Sequence, residues 1–322
     1  MSTPPPIRLP TDWPDKRPRS LPARMVRRVD VRLRRGLPRP VYHAVRGGYY
    51  GARTLVGRNP GRGRVLPDYL IIGVAKGGTT SLCGWLNEHP FVSPAARKEV
   101  HFFDYEYHRG VDWYRSNFPL EEKRREFAAE NGEPFLTGEA SPTYISHLWA
   151  PHRVAKLLPD AKLVVALRNP VDRAYSHFQM TRREGYEPFE SFEEAVAAEE
   201  DRLAPETERL QSNPRYYSWW LGSWSYLERS RYAEQLERWL ELFPREQFLF
   251  VRSEDLSAEP ARTLDTVHEF LGLPPHRRAE YPHLHTAEYD GIPADTRLRL
   301  AEYFRPHNER LYELAGIDFG WE

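Results

Sequence analysis

The sequence predicts an α/β fold in which a parallel β-sheet is flanked by helices on both faces. Three short apolar runs, at residues 69–72, 162–167 and 248–251, have the length and composition of buried strands. Segments with helical periodicity separate these runs, and strands that alternate with helices are typical of a parallel sheet. The first run leads through a glycine-rich loop into a helix start, an arrangement that favours phosphate binding.

The composition sets limits on the class of protein. The chain has 322 residues, enough for one large domain with an extension, and its hydrophobic content of 40% is sufficient for a core. Its single cysteine, Cys83, excludes an intramolecular disulfide framework and a cysteine-cluster metal site. No run approaches the ~18 apolar residues of a membrane span, and the N-terminus lacks the apolar core of a signal peptide. We therefore expect a soluble, cytoplasmic protein.

A basic extension, residues 1–66, precedes the predicted α/β domain at 67–322. Residues 1–64 contain 16 Lys and Arg against 3 Asp and Glu, and the first 22 or so have the proline-rich composition of a disordered segment. Residues 23–50 combine arginines with spaced apolar side chains, a pattern that favours peripheral contact with an anionic membrane or an acidic partner. A solvated arm folded back on the acidic remainder is an equally good interpretation. Nucleic-acid binding is not expected, because no recognition motif accompanies the charge.

The stretch Gly-Val-Ala-Lys-Gly-Gly-Thr-Thr after the first strand predicts a phosphate-binding loop. Gly77 and Gly78 let the backbone approach a ligand closely, and the first N–H groups of the helix favour its negative charge. Lys76 adds a cation, and Thr79 and Thr80 open the helix. Nucleotide triphosphatases place this lysine after the glycines, which argues against that class. A glycine-rich turn in another α/β protein is the alternative for this stretch alone.

A second candidate set lies in residues 97–104, which predict a short strand. Alternate residues of a strand share a face, so Glu99, His101 and Phe103 are expected to point the same way. A carboxylate beside an imidazole can serve in acid–base chemistry. An ordinary surface salt bridge is the alternative interpretation.

Polar side chains also follow two other predicted strands. The stretch 136–144 places Glu139 and several hydroxyls at a carboxyl strand end, where open α/β sheets bind ligands. The strand at 162–167 ends at Arg168, and Ser176 follows two turns into the next helix. Arg168 and Ser176 can converge on one more phosphate, or act only as a strand-end cap and a helix-surface hydroxyl.

The remaining elements are mostly helical. Periodicity predicts helices at 230–243, 260–271 and 295–314, and a helix at 111–118 with Val111, Tyr114 and Phe118 on its inner face. Residues 201–224 mix proline, serine and aromatic side chains without a period. Loops of that length are usually functional, so a lid is expected there.

From residue 67 to 321 the chain resembles the sulfotransferases that use 3′-phosphoadenosine 5′-phosphosulfate (PAPS). The similar branch is that of the heparan sulfate N- and 3-O-sulfotransferases and their bacterial relatives. The resemblance is carried, in order, by IIGVAKGGTTSL, KEVHFFD, GEASPTY, LRNPVDRAYSHF, YAEQLERWLELFP and EYFRPHNERLYELAG. It implies a fold like that of the P-loop nucleotide-binding proteins.

The resemblance also implies a role for each motif residue. The residues that match the loop around the 5′-phosphosulfate are Lys76, Gly77, Gly78, Thr79 and Thr80. Lys76 matches the catalytic lysine near the bridging oxygen. Arg168 and Ser176 match the pair that binds the 3′-phosphate. Glu99 matches the catalytic base, and His101 and Asp104 belong to the same acceptor-binding block, with His101 the other candidate for the base.

Two features depart from the heparan-modifying enzymes that the chain resembles. Ala140 stands where those enzymes have a lysine. Their later disulfide and basic loop are also missing, and the region around 285–291 is neutral to acidic. Both departures weaken the expectation of a polyanionic acceptor more than the expectation of PAPS.

The expected reaction is transfer of the sulfuryl group of PAPS to a hydroxyl, with an amine as second choice, on a carbohydrate or glycoconjugate. Adenosine 3′,5′-bisphosphate is the second product, and no metal is expected. A nucleotide-dependent phosphotransferase is one alternative, but it needs a lysine–hydroxyl pair after the glycines. A non-catalytic carbohydrate-binding relative is another, and the intact Lys76 and Glu99 argue against it.

Overall fold

A computed structural model describes residues 61–282 and 291–321. The predicted membrane-binding stretch and the region 283–290 lie outside the described residues. The described part forms two compact units, one from residues 61–66, 87–96 and 109–137 and the other from 67–86, 97–108 and 138 onward. The predicted division at residue 67 coincides with a boundary between units, and the assignment of residues 1–66 as an extension stays a prediction.

The larger unit is built on a four-stranded parallel sheet with the order β2-β1-β3-β4. Its strands are β1 Tyr69–Gly73, β2 Gly138–Ala140, β3 Lys162–Leu167 and β4 Phe248–Arg252. In register, Tyr69 lies opposite both Gly138 and Lys162, and Leu163 lies opposite Phe248. Every residue of β1 and nearly every residue of β3 is buried, so both faces of the central strands are covered. The predicted α/β class is confirmed.

The α-helices of the described residues are mostly short. In chain order they are α1 Thr79–Leu86, α2 Val111–Arg115, α3 Glu121–Asn131, α4 Ala150–Leu157, α5 Pro170–Arg183, α6 Phe192–Ala197, α7 Glu199–Ser212, α8 Trp219–Ser223, α9 Tyr232–Leu240, α10 Ser253–Ala258, α11 Pro260–Leu271 and α12 Ala294–Ala315. None of these helices is long and apolar enough to cross a membrane. Aromatic side chains of α5, α6 and α12, with Tyr226, form a buried cluster on the larger unit.

Local sequence signals explain several helix ends. Pro170 occupies the first turn of α5, and the Asn169 side chain accepts a hydrogen bond from Val171 N at 3.0 Å. Helix α11 ends at Gly272, whose φ of 77° is left-handed and suits glycine. The helices predicted at 260–271 and 295–314 agree with α11 and α12 to within a residue at each end.

Three predictions of local structure are wrong. Residues 97–104 form turns and bends rather than a strand. The predicted lid at 201–224 is largely the two helices α7 and α8. The inner face of α7 carries two acids, Glu199 and Glu206, and Pro205 lies inside the helix, which hides the helical period from a hydrophobicity pattern. The third error concerns one residue, because Tyr114 and Phe118 are buried as predicted and only Val111 of that predicted inner face is exposed, at 38%.

The smaller unit contains α2 and α3. A parallel bridge pairs Val92 with Leu136, and an antiparallel bridge pairs Arg64 with Leu120. The ring of Phe127 on α3 packs edge-on against Phe91 at 5.2 Å between centroids. This burial gives the unit an aromatic core of its own.

Candidate active site

The predicted site residues of the larger unit gather at the carboxyl edge of the sheet. Lys76 follows β1, Arg168 directly follows β3, and Ser253 directly follows β4. Glu99 is attached to the same edge, because its N–H donates to the carbonyl of Ala140, the last residue of β2, at 3.0 Å. Ligands of open parallel sheets bind outside this edge.

The loop between β1 and α1 needs glycine at two positions. A Cβ at Gly77 would lie 2.4 Å from the carbonyl oxygen of Ala166, so no side chain fits there. Gly78 has a φ of +85°, and its carbonyl accepts from Leu82 N at 3.1 Å at the start of α1. Thr79, the first residue of α1, is buried. The predicted strand–loop–helix arrangement is therefore present.

Lys76 lies in this loop next to several arginines. Its own φ is 76°, a conformation that costs energy in a residue other than glycine. Arg168 Nη1 lies 3.5 Å from the carbonyl oxygen of Lys76. Burial, together with the positive charges of Arg183, Arg168 and Arg173, lowers the pKa of Lys76 to about 8. The loop therefore carries more positive charge than its surroundings neutralise.

The second half of the predicted phosphate pair sits on α5. Ser176 is buried two turns into this helix, and among the described residues no hydrogen bond joins its side chain to Arg168. Sequence reasoning missed Arg173 and Arg183 on the same helix. Arg173 is 1% exposed and donates to the carbonyl of Tyr226 at 2.7 Å, whereas Arg183 is exposed. The Arg-Arg run at the end of α5 was a signal for Arg183 but not for Arg173, which lies in the first turn.

Glu99, His101 and Asp104 form one cluster despite the missing strand. His101 Nδ1 lies 2.9 Å from Asp104 Oδ2, and His101 Nε2 lies 3.6 Å from Glu99 Oε2. Asp104 is fully buried and also accepts from the Thr143 hydroxyl. The Glu99 side chain is 41% exposed and pairs with Lys98. Both ring nitrogens of His101 thus face carboxylates, and Glu99 is the most exposed of the three side chains.

The charges of this cluster fix its protonation. Burial disfavours the His101 imidazolium, but the charge of Asp104 and its hydrogen bond, with help from Glu99, raise the pKa of His101 to about 10. Burial likewise opposes ionisation of Glu99, but the interaction with His101 and the charge of Lys98 lower the pKa of Glu99 to about 2. At neutral pH the cluster therefore holds an imidazolium between two carboxylates.

A clamp of buried side chains positions the cluster, and we define it as Glu139, Ser141 and Tyr144. Each member binds one of three consecutive backbone N–H groups. Val100 N donates to Glu139 Oε2 at 3.2 Å, His101 N to Ser141 Oγ at 3.1 Å, and Phe102 N to Tyr144 OH at 2.9 Å.

The clamp is tied together by Glu139. This carboxylate accepts from Ser141 Oγ at 2.6 Å and from Tyr144 OH at 2.7 Å. Glu99 and His101 have left-handed φ values of 60° and 58°. Residues other than glycine rarely adopt this backbone conformation unless hydrogen bonds such as those of the clamp stabilise it. Glu139, expected at a ligand-binding strand end, is instead 2% exposed and acts on the turn that carries Glu99.

Replacement of Asp104 tests the protonation of the cluster. We expect Asp104→Asn to lower the pKa of His101 from about 10 toward its ordinary value near 6.5, because Asp104 is the main charge that favours the imidazolium. NMR titration of the His101 ring measures this pKa directly. Asp160→Asn, at an exposed turn, is the control and should leave the titration unchanged. A His101 midpoint near 6.5 in the unaltered chain would contradict the geometry.

The fold and these charges are those of an α/β protein with a cation-rich sheet edge and an adjacent cluster of carboxylates and an imidazole. Residues 66–291 match the sulfotransferase domain family, and the chain belongs to that family.

Named relatives agree with this assignment. The chain is 34% identical over 288 residues to human heparan sulfate glucosamine 3-O-sulfotransferase 6, covering 81% of this chain and 75% of that protein. It is 33% identical over 281 residues to mouse heparan sulfate glucosamine 3-O-sulfotransferase 3B1. That match covers 80% of this chain and only 65% of the length of the relative. The Dictyostelium discoideum membrane-associated sulfotransferase kil1 is 27% identical over 321 residues, with coverage of 80% and 67%.

A solved structure supports the same fold. The crystal structure of a sulfotransferase from Alicyclobacillus acidocaldarius superposes with a TM-score of 0.61 at 28% identity. The match covers 79% of this chain and 98% of that one. The expected resemblance to the sulfotransferases is confirmed.

Proposed function

We propose that this chain transfers the sulfuryl group of PAPS to a hydroxyl of a carbohydrate acceptor. The observation that carries the proposal is the pairing of two features at one sheet edge. A glycine loop that carries Lys76 follows β1. The ionised and partly exposed carboxylate of Glu99 lies at the end of β2, where the Glu99 N–H donates to the carbonyl of Ala140. Relatives whose names specify heparan sulfate glucosamine support a sugar hydroxyl as the target.

The residues at the loop fit a donor with two phosphate groups. Burial and the positive charges of Arg183, Arg168 and Arg173 lower the pKa of Lys76, and bound phosphates would relieve the repulsion among these cations. Lys76 and the amides of Gly77–Thr80 would hold the 5′-phosphosulfate, and Arg168 with Ser176 the 3′-phosphate. The donor supplies an activated sulfuryl group, and the leaving phosphate oxygen gains charge that Lys76 is placed to stabilise.

Glu99 is the proposed proton acceptor. At neutral pH His101 is an imidazolium with both nitrogens engaged, so it has no lone pair for an acceptor proton. Glu99 is ionised, open to solvent on one edge, and oriented by His101. The proton of the acceptor hydroxyl passes to a Glu99 carboxylate oxygen as that hydroxyl attacks sulfur. His101 and Asp104 position the carboxylate.

A transfer assay tests this proposal. The chain is incubated with PAPS labelled in the sulfuryl group and a panel of carbohydrate hydroxyls, amino sugars and phenols. Label in a sugar hydroxyl and release of adenosine 3′,5′-bisphosphate are expected. Label only in amines or phenols would overturn the acceptor class, and no transfer to any acceptor would overturn the activity.

Arg168→Ala should remove the preference for a 3′-phosphate. Calorimetry on the unaltered chain is expected to show adenosine 3′,5′-bisphosphate binding tighter than AMP. The variant should lose roughly tenfold to hundredfold of that preference, the value of a charged hydrogen bond of ~1.5–3 kcal/mol. Arg182→Ala is the matched control, because it removes the same side chain from the exposed surface of α5. Equal affinity of the unaltered chain for both nucleotides would contradict the assignment of PAPS as the donor.

We further propose that the chain is cytoplasmic and that its basic stretch at residues 23–50 acts in location rather than chemistry. Deletion of residues 1–60 should leave the turnover number on a soluble acceptor within about twofold and weaken salt-sensitive binding to anionic vesicles. Vesicle sedimentation at two salt concentrations measures the second effect. A folded but inactive truncation would show instead that these residues belong to the site.

A further inference from the structure

A cavity of about 210 Å³ lies next to the acid–base cluster in the larger unit. Its wall is formed by Tyr105 and His147, by α7 and α8, and by the turn and helix over residues 228–238. Tyr105 links the cavity to the cluster, because its ring stacks on that of His101 at 5.2 Å between centroids. A molecule in the cavity is therefore separated from His101 by a single aromatic ring.

The size of the cavity limits its ligand. Water occupies about 30 Å³ per molecule in the liquid, so the cavity has the volume of roughly seven waters. Drug-sized ligands occupy pockets of about 300 Å³ or more. One six-membered ring with its substituents fits this space.

Hydrogen-bond donors and acceptors are mixed along the wall. Three arginines, Arg229, Arg231 and Arg238, offer only donors, and two glutamates, Glu228 and Glu234, offer only acceptors. A small anion is held by donors and a cation by acceptors. A hydroxyl group both donates and accepts, so this wall suits several hydroxyls on one scaffold.

Four side-chain atoms of the lining residues have no hydrogen-bond partner among the described residues. They are the Nε atoms of Arg231 and Arg238, Oε2 of Glu234 and Oε1 of Gln235. Gln235 is only 4% exposed, and buried polar atoms without partners are rare in folded proteins. These two donors and two acceptors repeat the mixture of polar groups around the wall, but they are closed off from solvent and do not themselves reach the cavity.

We propose that this cavity binds one polyhydroxylated six-membered ring, of a sugar or a cyclitol, attached to the group that receives the sulfate. The inference rests on the proposed function and names the part of the acceptor that the chain recognises. Tyr105 and Tyr216 add rings whose apolar faces and hydroxyls suit such a ligand. The wall has one more arginine than it has glutamates, so it does not select for a polyanion.

Ligand-observed NMR on the full chain without PAPS tests this assignment. The probes are neutral methyl pyranosides and myo-inositol, with methyl glucuronide and inorganic sulfate as anionic counterparts. Thr207→Phe fills the cavity from α7, and Glu208→Phe adds the same ring to the exposed neighbouring position. Gln235→Met, which keeps the length of the side chain but removes an amide whose Nε2 donates to the carbonyls of Glu228 and Arg231, is the second variant. Unchanged affinity for adenosine 3′,5′-bisphosphate shows that each variant is folded.

We expect saturable binding of at least one neutral ring, reduced tenfold or more by Thr207→Phe and Gln235→Met and unchanged by Glu208→Phe. Tighter binding of myo-inositol than of every glycoside would assign the ring to a cyclitol. Binding of sulfate or glucuronide alone, or of no probe, would overturn the inference. Ring binding without turnover on any acceptor would count against the proposed function and leave the cavity assignment in place.

Discussion

Glu99→Gln should lower the turnover number by about 10² or more while the affinity for PAPS stays within a few-fold. Glutamine keeps the shape of the side chain and cannot accept the acceptor proton. Lys76 and Arg168 lie after β1 and β3 and do not depend on this carboxylate, so donor binding should persist. Steady-state kinetics with calorimetry of the donor product separates the two effects. Glu106→Gln, the same change outside the cluster, is the control and should stay within about twofold.

The pH profile gives the same prediction a second readout. Because the pKa of Glu99 is lowered to about 2, the carboxylate is ionised throughout the neutral and mildly acidic range. Turnover should therefore stay level as the pH falls from 7 to about 4, unless the fold is lost. A base with the ordinary imidazole pKa near 6.5 would lose activity over that range.

The opposite assignment has its own signature. If His101 is the base, His101→Ala is inactive with donor binding intact, and Glu99→Gln retains near-normal turnover. On the present geometry His101→Ala is milder. It removes the ion pair that orients Glu99, which is also the main interaction that lowers the pKa of Glu99, and it acts partly through acceptor KM.

The sheet and the donor loop were predictable because their signals are local. Apolar runs predict β1, β3 and β4. Paired glycines after a strand predict the loop, in which the neighbouring backbone leaves no room for a side chain at Gly77. Caps such as Asn169 and Gly272 depend on neighbours in sequence. Features of this kind need no knowledge of distant contacts.

The acid–base cluster was predicted for the wrong physical reason. Glu99 and His101 do share a face, but through two left-handed residues that the clamp of Glu139, Ser141 and Tyr144 holds in place. These contacts join residues about 40 positions apart, which no strand period reveals. The proton on His101 likewise depends on Asp104 and on burial.

The cavity could not be predicted for a related reason. Its wall uses α7, whose buried acids and internal proline hide the helical period, so the segment resembles a loop in sequence. Hydrophobic periodicity finds helices that bury apolar faces and misses those that bury polar groups for a site. The arginines of residues 228–238 look like an ordinary charged helix face until the fold places them around a cavity.

Lys76→Ala should lower the turnover number by about 10² to 10³, a loss equivalent to ~2.7–4 kcal/mol of stabilisation of the leaving oxygen. Lys156→Ala on α4 is the matched control, because it removes the same side chain away from the loop. A turnover number within tenfold of the unaltered chain would show that the loop amides or the arginines carry this stabilisation without the lysine.

The lowered pKa of Lys76 adds a pH dependence whose sign can be worked out. Burial and the neighbouring arginines place this pKa at about 8, so the lysine is cationic below pH 8 and loses its charge above it. The kcat/KM for PAPS, which reports the free enzyme, should fall as the pH rises through about 8. Bound phosphates favour the cation, so the corresponding fall in kcat should occur at higher pH. Lys76→Arg keeps its charge and should remove the fall in kcat/KM near pH 8. Persistence of that fall in Lys76→Arg would assign it to another group.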